Sequence, residues 1–326
     1  MAAPFTDLTP DAVLNAIDAA GLSTSGTLLA LNSYENRAFQ VGVDDGAQRF
    51  VVAKFYRPGR WSDEQILEEH AFTLELAAAE VPAVPPAVLN GRTLHAHAGY
   101  RFALYPRRGG RAPELESRDV RVWLGRFIGR IHAVGARSRY AQRPALDVQT
   151  FGDEPLAYLV DSGWVPHEAS DVFFGVAAQA LDEVRRSYER AGDVRTLRLH
   201  GDVHVGNVLW TDAGPHFVDF DDSRMGPAVQ DLWMLLSGAR EERQAQLADL
   251  LAGYEEFADF NRRELLLVEA LRTLRLIHYA AWIARRWGDP AFPAAFPWFE
   301  SPRYWEARIL ELREQIAAMQ EPPLAA

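Results

Sequence analysis

The stretch His200-Gly201-Asp202-Val203-His204-Val205-Gly206-Asn207-Val208-Leu209-Trp210, with Phe217-Val218-Asp219-Phe220-Asp221 after it, decides how this chain is read. An Asp stands five residues before an Asn, and a second Asp follows the first by seventeen. Strand-like runs at 208–211 and 216–220 accompany the Asn and the second Asp. Phosphoryl transfer from ATP asks for such a set. One carboxylate receives the proton of an attacking hydroxyl, while an amide and another carboxylate hold Mg²⁺ against the phosphates. The spacing D-x-x-x-x-N alone is common; His-Gly before it, a strand after it and an apolar Val-Asp-Phe make it specific.

Asp202 is expected to be the general base, a role typically worth roughly 10²–10⁴-fold in rate. The plainer alternative is a loop Asp bonding backbone amides. Asn207 is expected to ligate Mg²⁺ through its amide oxygen, or else to be a turn residue. Asp219 leaves an apolar strand, where a bare carboxylate is expensive, so it needs Mg²⁺ or an arginine beside it. Asp221 and Asp222 either assist a second metal or solvate the loop, and a solvated loop is the expectation. His200 and His204 stand four apart, but a loop lacks the helical geometry that a zinc pair at this spacing needs. His200 is expected to brace the loop and His204 to lie nearer the transferred phosphate. Asp231, opening an apolar helix, is read as a buried anchor for the loop backbone.

Lys54 stands inside Phe50-Val51-Val52-Ala53-Lys54-Phe55. An ammonium in an apolar strand is costly unless it meets an anion. ATP phosphates are that anion, and a helix Glu holds the Lys between turnovers. Glu69 is assigned that role, with Glu68 as the neighbouring alternative; a surface Lys on an edge strand is the plain reading. The loop Asn32-Ser33-Tyr34-Glu35-Asn36 lies where a phosphate-covering loop belongs. It lacks Gly-x-Gly-x-x-Gly, so the Ser33 hydroxyl and backbone amides must do the cradling, unless this is a simple hairpin turn. The backbone from Tyr105 to Arg107 is expected to meet the adenine.

Working outward, Thr9-Pro10 caps a first helix that Gly21 ends. Strands are expected at 28–31, 37–43 and 49–56, with Asp44-Asp45-Gly46 turning between the last two. Ser62-x-x-Gln65 has capping-box spacing and opens a helix, which Val81-Pro82 stops. Short strands follow at 93–97 and 100–105, and Pro106-Arg107-Arg108-Gly109-Gly110 reads as a hinge. Thereafter Val120, Trp123, Leu124, Phe127, Ile128 and Ile131 recur at helical spacing. More helices are expected near 170–191, 229–251, 262–287 and 302–319. The aromatic stretch 292–305 is read as packing, or as the lining of a substrate groove. The expected class is α+β with two lobes. Residues 1–105 form a small antiparallel sheet with one main helix; residues 106–326 form a larger, mostly helical lobe carrying the catalytic loop and metal site. The nucleotide is expected between them, as ligands often lie at domain boundaries.

Bulk properties narrow the classes further. A chain of 326 residues with 48% hydrophobic content can build a real core. No apolar run reaches the roughly eighteen residues of a membrane span, and Met1-Ala2-Ala3-Pro4-Phe5 lacks the pattern of an export signal. The absence of Cys excludes disulfides and thiolate metal sites and fits a reducing cytosol. A net charge of −11 argues against nucleic acid as a partner.

Three blocks, Phe50 to Leu76, His200 to Trp210 and Phe217 to Leu236, resemble the bacterial stress response kinase A family. That family lies within the aminoglycoside-phosphotransferase-like branch of the protein-kinase fold. The resemblance implies a bilobal kinase-like fold and a cytoplasmic, monomeric, Mg²⁺- and ATP-dependent serine/threonine protein kinase tied to stress responses. Its acceptor is a Ser or Thr hydroxyl on a protein. By motif, the family's proton acceptor falls on Asp202, its Mg²⁺ ligands on Asn207 and Asp219, and its nucleotide-loop Ser on Ser33.

Departures from ordinary protein kinases carry expectations of their own. Gly201 replaces the Arg of His-Arg-Asp, Asp221 replaces the Gly of Asp-Phe-Gly, and His204 takes the place of the catalytic-loop Lys. Only twelve positions separate Asp219 from Asp231, too few for a long activation segment, so activity is expected without loop phosphorylation. The same shortness removes the usual peptide platform. A kinase acting on an amino sugar, choline or homoserine is therefore the first rival, and a nucleotide-binding pseudokinase the second.

Overall fold

The computed structural model describes residues 4–44 and 49–325. The expected turn at Asp44-Asp45-Gly46 falls largely outside them. The chain divides into two compact units, Met1–Pro113 with Val205–Asp221, and Glu114–His204 with Asp222–Ala326. The first unit thus runs past Tyr105 and takes in a returning segment from far along the chain.

In the first unit, α1 (Pro10–Ala19) starts where the Thr9 hydroxyl accepts the amide of Ala12, with Pro at the first helical position. A five-stranded antiparallel sheet follows in the order β1-β2-β3-β5-β4, made of β1 (Thr24–Ala30), β2 (Arg37–Val43), β3 (Phe50–Phe55), β4 (His95–His97) and β5 (Tyr100–Pro106). Period-two alternation sorts the residues of β3 onto two faces. Val51, Ala53 and Phe55 join Val13 and Ile17 of α1 in one core. Across the strand, Tyr56 and Ala103 pack with Ile66 of α2 (Asp63–Ala78). The capping box of α2 is complete: Ser62 Oγ accepts the Gln65 amide and Gln65 Oε1 accepts the Ser62 amide.

The returning segment is the hairpin β7 (Val208–Thr211) and β8 (Gly214–Phe217). It is tied to the first unit by backbone bonds on both sides. Phe217 exchanges hydrogen bonds with Pro82 and Val84, and Trp210 with Arg111.

The second unit holds α3 (Arg118–Gly135), α4 (Glu154–Ser162), α5 (His167–Ala191), α6 (Gln230–Trp233), α7 (Arg240–Tyr254), α8 (Val268–Arg286), α9 (Ala291–Ala295) and α10 (Pro302–Gln320). Its one ladder among the described residues pairs β6 (Thr196–Arg198) with β9 (Met225–Pro227). Glycines let α3 and α7 approach closely: a Cβ at Gly125 would lie 1.9 Å from the Leu250 carbonyl oxygen. The expected helix over 229–251 is broken. It is a four-residue turn and a separate α7, with Gly238 at φ +85° in the gap. The π-turn at Gln149–Asp153, α4 and α9 were not expected. In the aromatic stretch, Phe292, Phe299 and Trp305 are buried, while Trp298 is exposed.

Candidate active site

Lys54 lies opposite Ala38 on β2 and Ala103 on β5, whose small side chains leave room for its stem. Its ammonium donates to Asp219 Oδ1 at 2.8 Å and lies 3.2 Å from Asp221 Oδ1. Burial pushes the ammonium down, but the Asp219 and Asp221 carboxylates outweigh it and hold its pKa well above the ordinary value. Lys54 is therefore a paired buried cation and not a surface lysine. Its ion pairs run to two aspartates rather than to Glu69, which corrects the expected partnership. Glu69 is buried on α2 and acts on Lys54 more weakly, through its charge. Glu69 Oε2 lies 3.8 Å from His70 Nε2.

Asp221 also departs from expectation. Its side chain is only 5% exposed. It accepts a hydrogen bond from Asn36 Nδ2 at 3.1 Å and pairs with the Arg60 guanidinium. Asp222, in contrast, has a side chain 37% exposed. A carboxylate is buried here because two cations and an amide meet it, which offsets its desolvation. The sequence held one clue, the cations of Arg57-Pro58-Gly59-Arg60 directly after an apolar strand.

That turn also shapes the loop before β2. The Arg57 amide donates to Asn36 Oδ1 at 3.0 Å, and its guanidinium donates to the carbonyls of Glu35 and Tyr34 at 2.9 and 3.2 Å. Ser33 Oγ donates to the Asn36 carbonyl at 3.1 Å, so its hydroxyl closes the loop on itself. At the end of β5, the Tyr105 hydroxyl lies 3.0 Å from that of Tyr56, which in turn is 2.7 Å from His70 Nε2. Burial, with the Glu69 charge, pushes the Tyr105 phenol up. Arg107 Nε donates to Gln40 Oε1 at 3.1 Å, which fixes that side chain along β2.

Asn207 and Asp219 are neighbours across the hairpin, since the Val218 amide donates to the Asn207 carbonyl at 3.0 Å. Asp219 adopts φ +60°, uncommon for a residue with a Cβ, and its side chain is 53% exposed. Among the described residues, no group of three His, Asp or Glu could hold a metal. One carboxylate and one amide oxygen nonetheless suit Mg²⁺. That ion is commonly held by one or two carboxylates, with substrate phosphates and water supplying the rest.

The second unit carries Asp202. Its loop is held from below by Asp231, whose Oδ2 and Oδ1 accept the amides of His200 and Gly201, both at 2.8 Å. His132 Nε2 lies 3.0 Å from the same Oδ2, and His132 Nδ1 2.9 Å from the Tyr254 hydroxyl. Gln230 adds a bond from Nε2 to the Gly201 carbonyl at 3.0 Å. Gly201 has φ +89°, and a Cβ there would stand 2.3 Å from the Asp222 carbonyl oxygen. The loop conformation thus excludes the Arg of ordinary kinases.

His200 is fully buried, and its Nδ1 accepts the Asp202 amide at 3.3 Å. Asp202 Oδ2 lies 3.5 Å from His204 Nε2, and Oδ1 lies 2.9 Å from Arg275 Nη1. Burial pushes the Asp202 carboxyl up, but the His204 hydrogen bond and the Arg275 charge outweigh it and hold it well below the usual carboxylate range. Arg275 had no signal in sequence. It is one of several arginines on a helix, and only the fold brings it to Asp202.

The structure therefore joins Lys54, Asp219 and Asp221, sets Asn207 beside Asp219, and seats Asp202 on an anchored loop. Residues 27–268 match the model of the phosphotransferase enzyme family. Stress response kinase A of Salmonella choleraesuis is 44% identical over 320 residues, covering 98% of this chain and 96% of the relative. A Salmonella typhimurium relative named serine/threonine protein kinase RdoA matches at the same identity and coverage. Among solved structures, the amicoumacin kinase hAmiN, in complex with AMP-PNP, Ca²⁺ and Ami, shares the fold. Its TM-score is 0.73 at 18% identity, over 97% of this chain and 95% of that one. The chain belongs to the phosphotransferase enzyme family and, within it, to the stress response kinase A group.

Proposed function

We propose that this chain is an ATP- and Mg²⁺-dependent serine/threonine protein kinase with Asp202 as general base, acting in the cytoplasm as a monomer in a stress response. The observation that carries the reading is the 2.8 Å pair between Lys54 and Asp219, residues 165 apart in sequence. It brings a buried cation suited to phosphates beside the carboxylate suited to the metal. Consistent with a protein that does not span a bilayer through helices, no described helix is long and apolar enough to cross a membrane.

In this reading the acceptor oxygen attacks the γ-phosphorus, and its proton passes to the Asp202 carboxylate. The new O–P bond forms as the bond to the departing ADP oxygen breaks, and that electron pair leaves with ADP. Bound Mg²⁺, held by Asn207 and Asp219, supplies charge neutralisation at the phosphates. Lys54 contributes its positive charge, and Asp221 keeps that ammonium in place while Asp219 is engaged. Ser33 and its loop cover the phosphates, Glu69 adds negative charge behind Lys54, and the backbone from Tyr105 to Arg107 meets the adenine. Because Asp202 is held ionised, it is ready to accept a proton at neutral pH.

The name of the Salmonella typhimurium relative supports a Ser or Thr acceptor on protein. One observation favours a small-molecule acceptor instead: residues 223–233 are buried throughout and leave no extended segment there to seat a peptide. Labelled ATP incubated with cell lysate separates the two. Label on discrete protein bands, lost in Asp202→Ala, supports the protein kinase; label only in small molecules overturns it.

A further inference from the structure

Asp202 Oδ2 lies 3.5 Å from His204 Nε2 and Oδ1 lies 2.9 Å from Arg275 Nη1. A carboxylate keeps further lone pairs beside such partners, so a hydroxyl that gives its proton to Asp202 arrives next to these two groups. His204 belongs to the anchored loop itself. Arg275 is a long side chain from α8, 40% exposed, and also lies 3.9 Å from the Met234 sulfur. Arg275 is the group placed to move. A guanidinium leaving a carboxylate loses its ion pair, and an anion on the arriving acceptor restores one.

The helix itself fits such an acceptor. In a chain of net charge −11, α8 carries four Arg and one Glu. Arg275, Tyr279, Trp282 and Arg286 recur at four, three and four residues, along one face. All four are partly exposed. Tyr279 and Trp282 stack at 5.6 Å, and the Arg286 guanidinium lies 5.3 Å over the Trp282 ring. From Arg275 to Arg286 the face runs about 16 Å at the helical rise per residue. An extended peptide covers that length with about five residues.

We propose that Arg275 is the acceptor-specificity residue, releasing Asp202 to read an acidic side chain next to the Ser or Thr of an extended peptide along α8. This inference rests on the protein-kinase reading above. Arg275 is assigned to the acceptor because it pairs with Asp202, the group that receives the acceptor's proton.

The test uses the full chain and Ser peptides that differ only in the residues flanking the Ser: Asp/Glu in one set, Lys in the other. The wild type is expected to favour the acidic set by about tenfold in kcat/KM, the factor carried by one well-made ion pair. Arg275→Lys keeps the preference in weakened form, Arg275→Ala abolishes it, and Arg275→Glu reverses it. A reversed preference cannot arise from misfolding. Arg272→Ala, one turn earlier and paired with Glu269 at 3.7 Å, keeps the wild-type preference. Equal losses on both sets in Arg275→Ala overturn the proposal and make Arg275 a phosphoryl ligand. A wild type that phosphorylates both sets equally overturns it while leaving the protein-kinase reading intact. Turnover of ATP with no peptide labelled at all overturns that reading, and this one with it.

Discussion

Asp221 Oδ1 lies 3.2 Å from the Lys54 ammonium, on a side chain almost closed to solvent, while Asp222 beside it is substantially exposed. One aspartate is a structural counter-ion shared by Lys54, Arg60 and Asn36. The other is 37% exposed and lies 4.0 Å from the Arg224 guanidinium. Removing one member of a buried charged set strands the rest, at a typical cost of about 3–5 kcal/mol. Asp221→Asn should therefore lower unfolding free energy by roughly 3 kcal/mol and weaken nucleotide binding. Asp222→Asn, which gives up a longer pair at a partly exposed carboxylate, should cost no more than about 1 kcal/mol. Urea unfolding and titration with a fluorescent nucleotide check both; equal effects from the two variants would falsify the distinction.

Gly201 is expected to tolerate no side chain. Gly201→Ala meets both the left-handed backbone and the Asp222 carbonyl, and backbone strain alone costs on the order of 1–3 kcal/mol. A loss of at least about 2 kcal/mol together with loss of phosphotransfer is the predicted outcome. A variant as stable and active as the wild type would show that the loop can relax.

Loop phosphorylation should not control this protein. Ser223 is the one hydroxyl residue between Asp219 and Asp231. It is fully buried, donates to the Leu199 carbonyl at 2.5 Å and lies 2.6 Å from the Tyr140 hydroxyl. Phosphatase treatment of the purified protein is expected to leave its first turnover unchanged. Loss of that turnover would mean that another phosphorylated residue switches the site.

Glu264 sets a pH dependence of stability. Burial pushes its carboxyl up to about 7, against hydrogen bonds from the Val229 and Ala228 amides. The folded protein therefore holds this proton more tightly than the unfolded chain. The resulting stabilisation is fully present below the unfolded pKa, near 4.5, and is lost as pH rises through about 7. Its size is roughly 3 kcal/mol. Glu264→Gln should reduce the difference in unfolding free energy between pH 5 and pH 8 by about that amount. An unchanged difference would locate the proton elsewhere.

Asp202 behaves in the opposite sense. Its depressed pKa means that its contribution to stability is present above the unfolded value and is lost only as pH falls through the folded one. Kinase activity should therefore show no loss from titration of Asp202 between about pH 5 and 8. Asp202→Asn should reduce phosphotransfer by roughly 10²–10⁴-fold at every pH in that range. A variant whose deficit vanishes at high pH would point to a different base.

Much of this could be read in the sequence, because it depends on near neighbours. The caps at Thr9 and Ser62 act over three residues and appear as expected, as does the strand that became β3. The anchoring role of Asp231 was legible because a carboxylate opening an apolar helix must find donors. The break between α6 and α7 was hidden, since 229–251 is apolar enough to suggest one helix and only Ser237-Gly238 marks the gap. Glu69 was a reasonable partner for Lys54 by motif, yet two aspartates arriving on the returning hairpin hold the ammonium.

What local order in the chain determined was the set of chemical groups: a lysine in an apolar strand, and an Asp, an Asn and a second Asp in one short stretch. Side-chain type and spacing suffice for that, because each must be satisfied wherever the chain goes. Tertiary structure alone decided who satisfies whom. Asp221 finds Arg60 and Asn36 across 161 and 185 residues, and Arg275 reaches Asp202 from a distant helix. Desolvation makes a buried charge demand a partner, but only the folded chain determines which one is within reach.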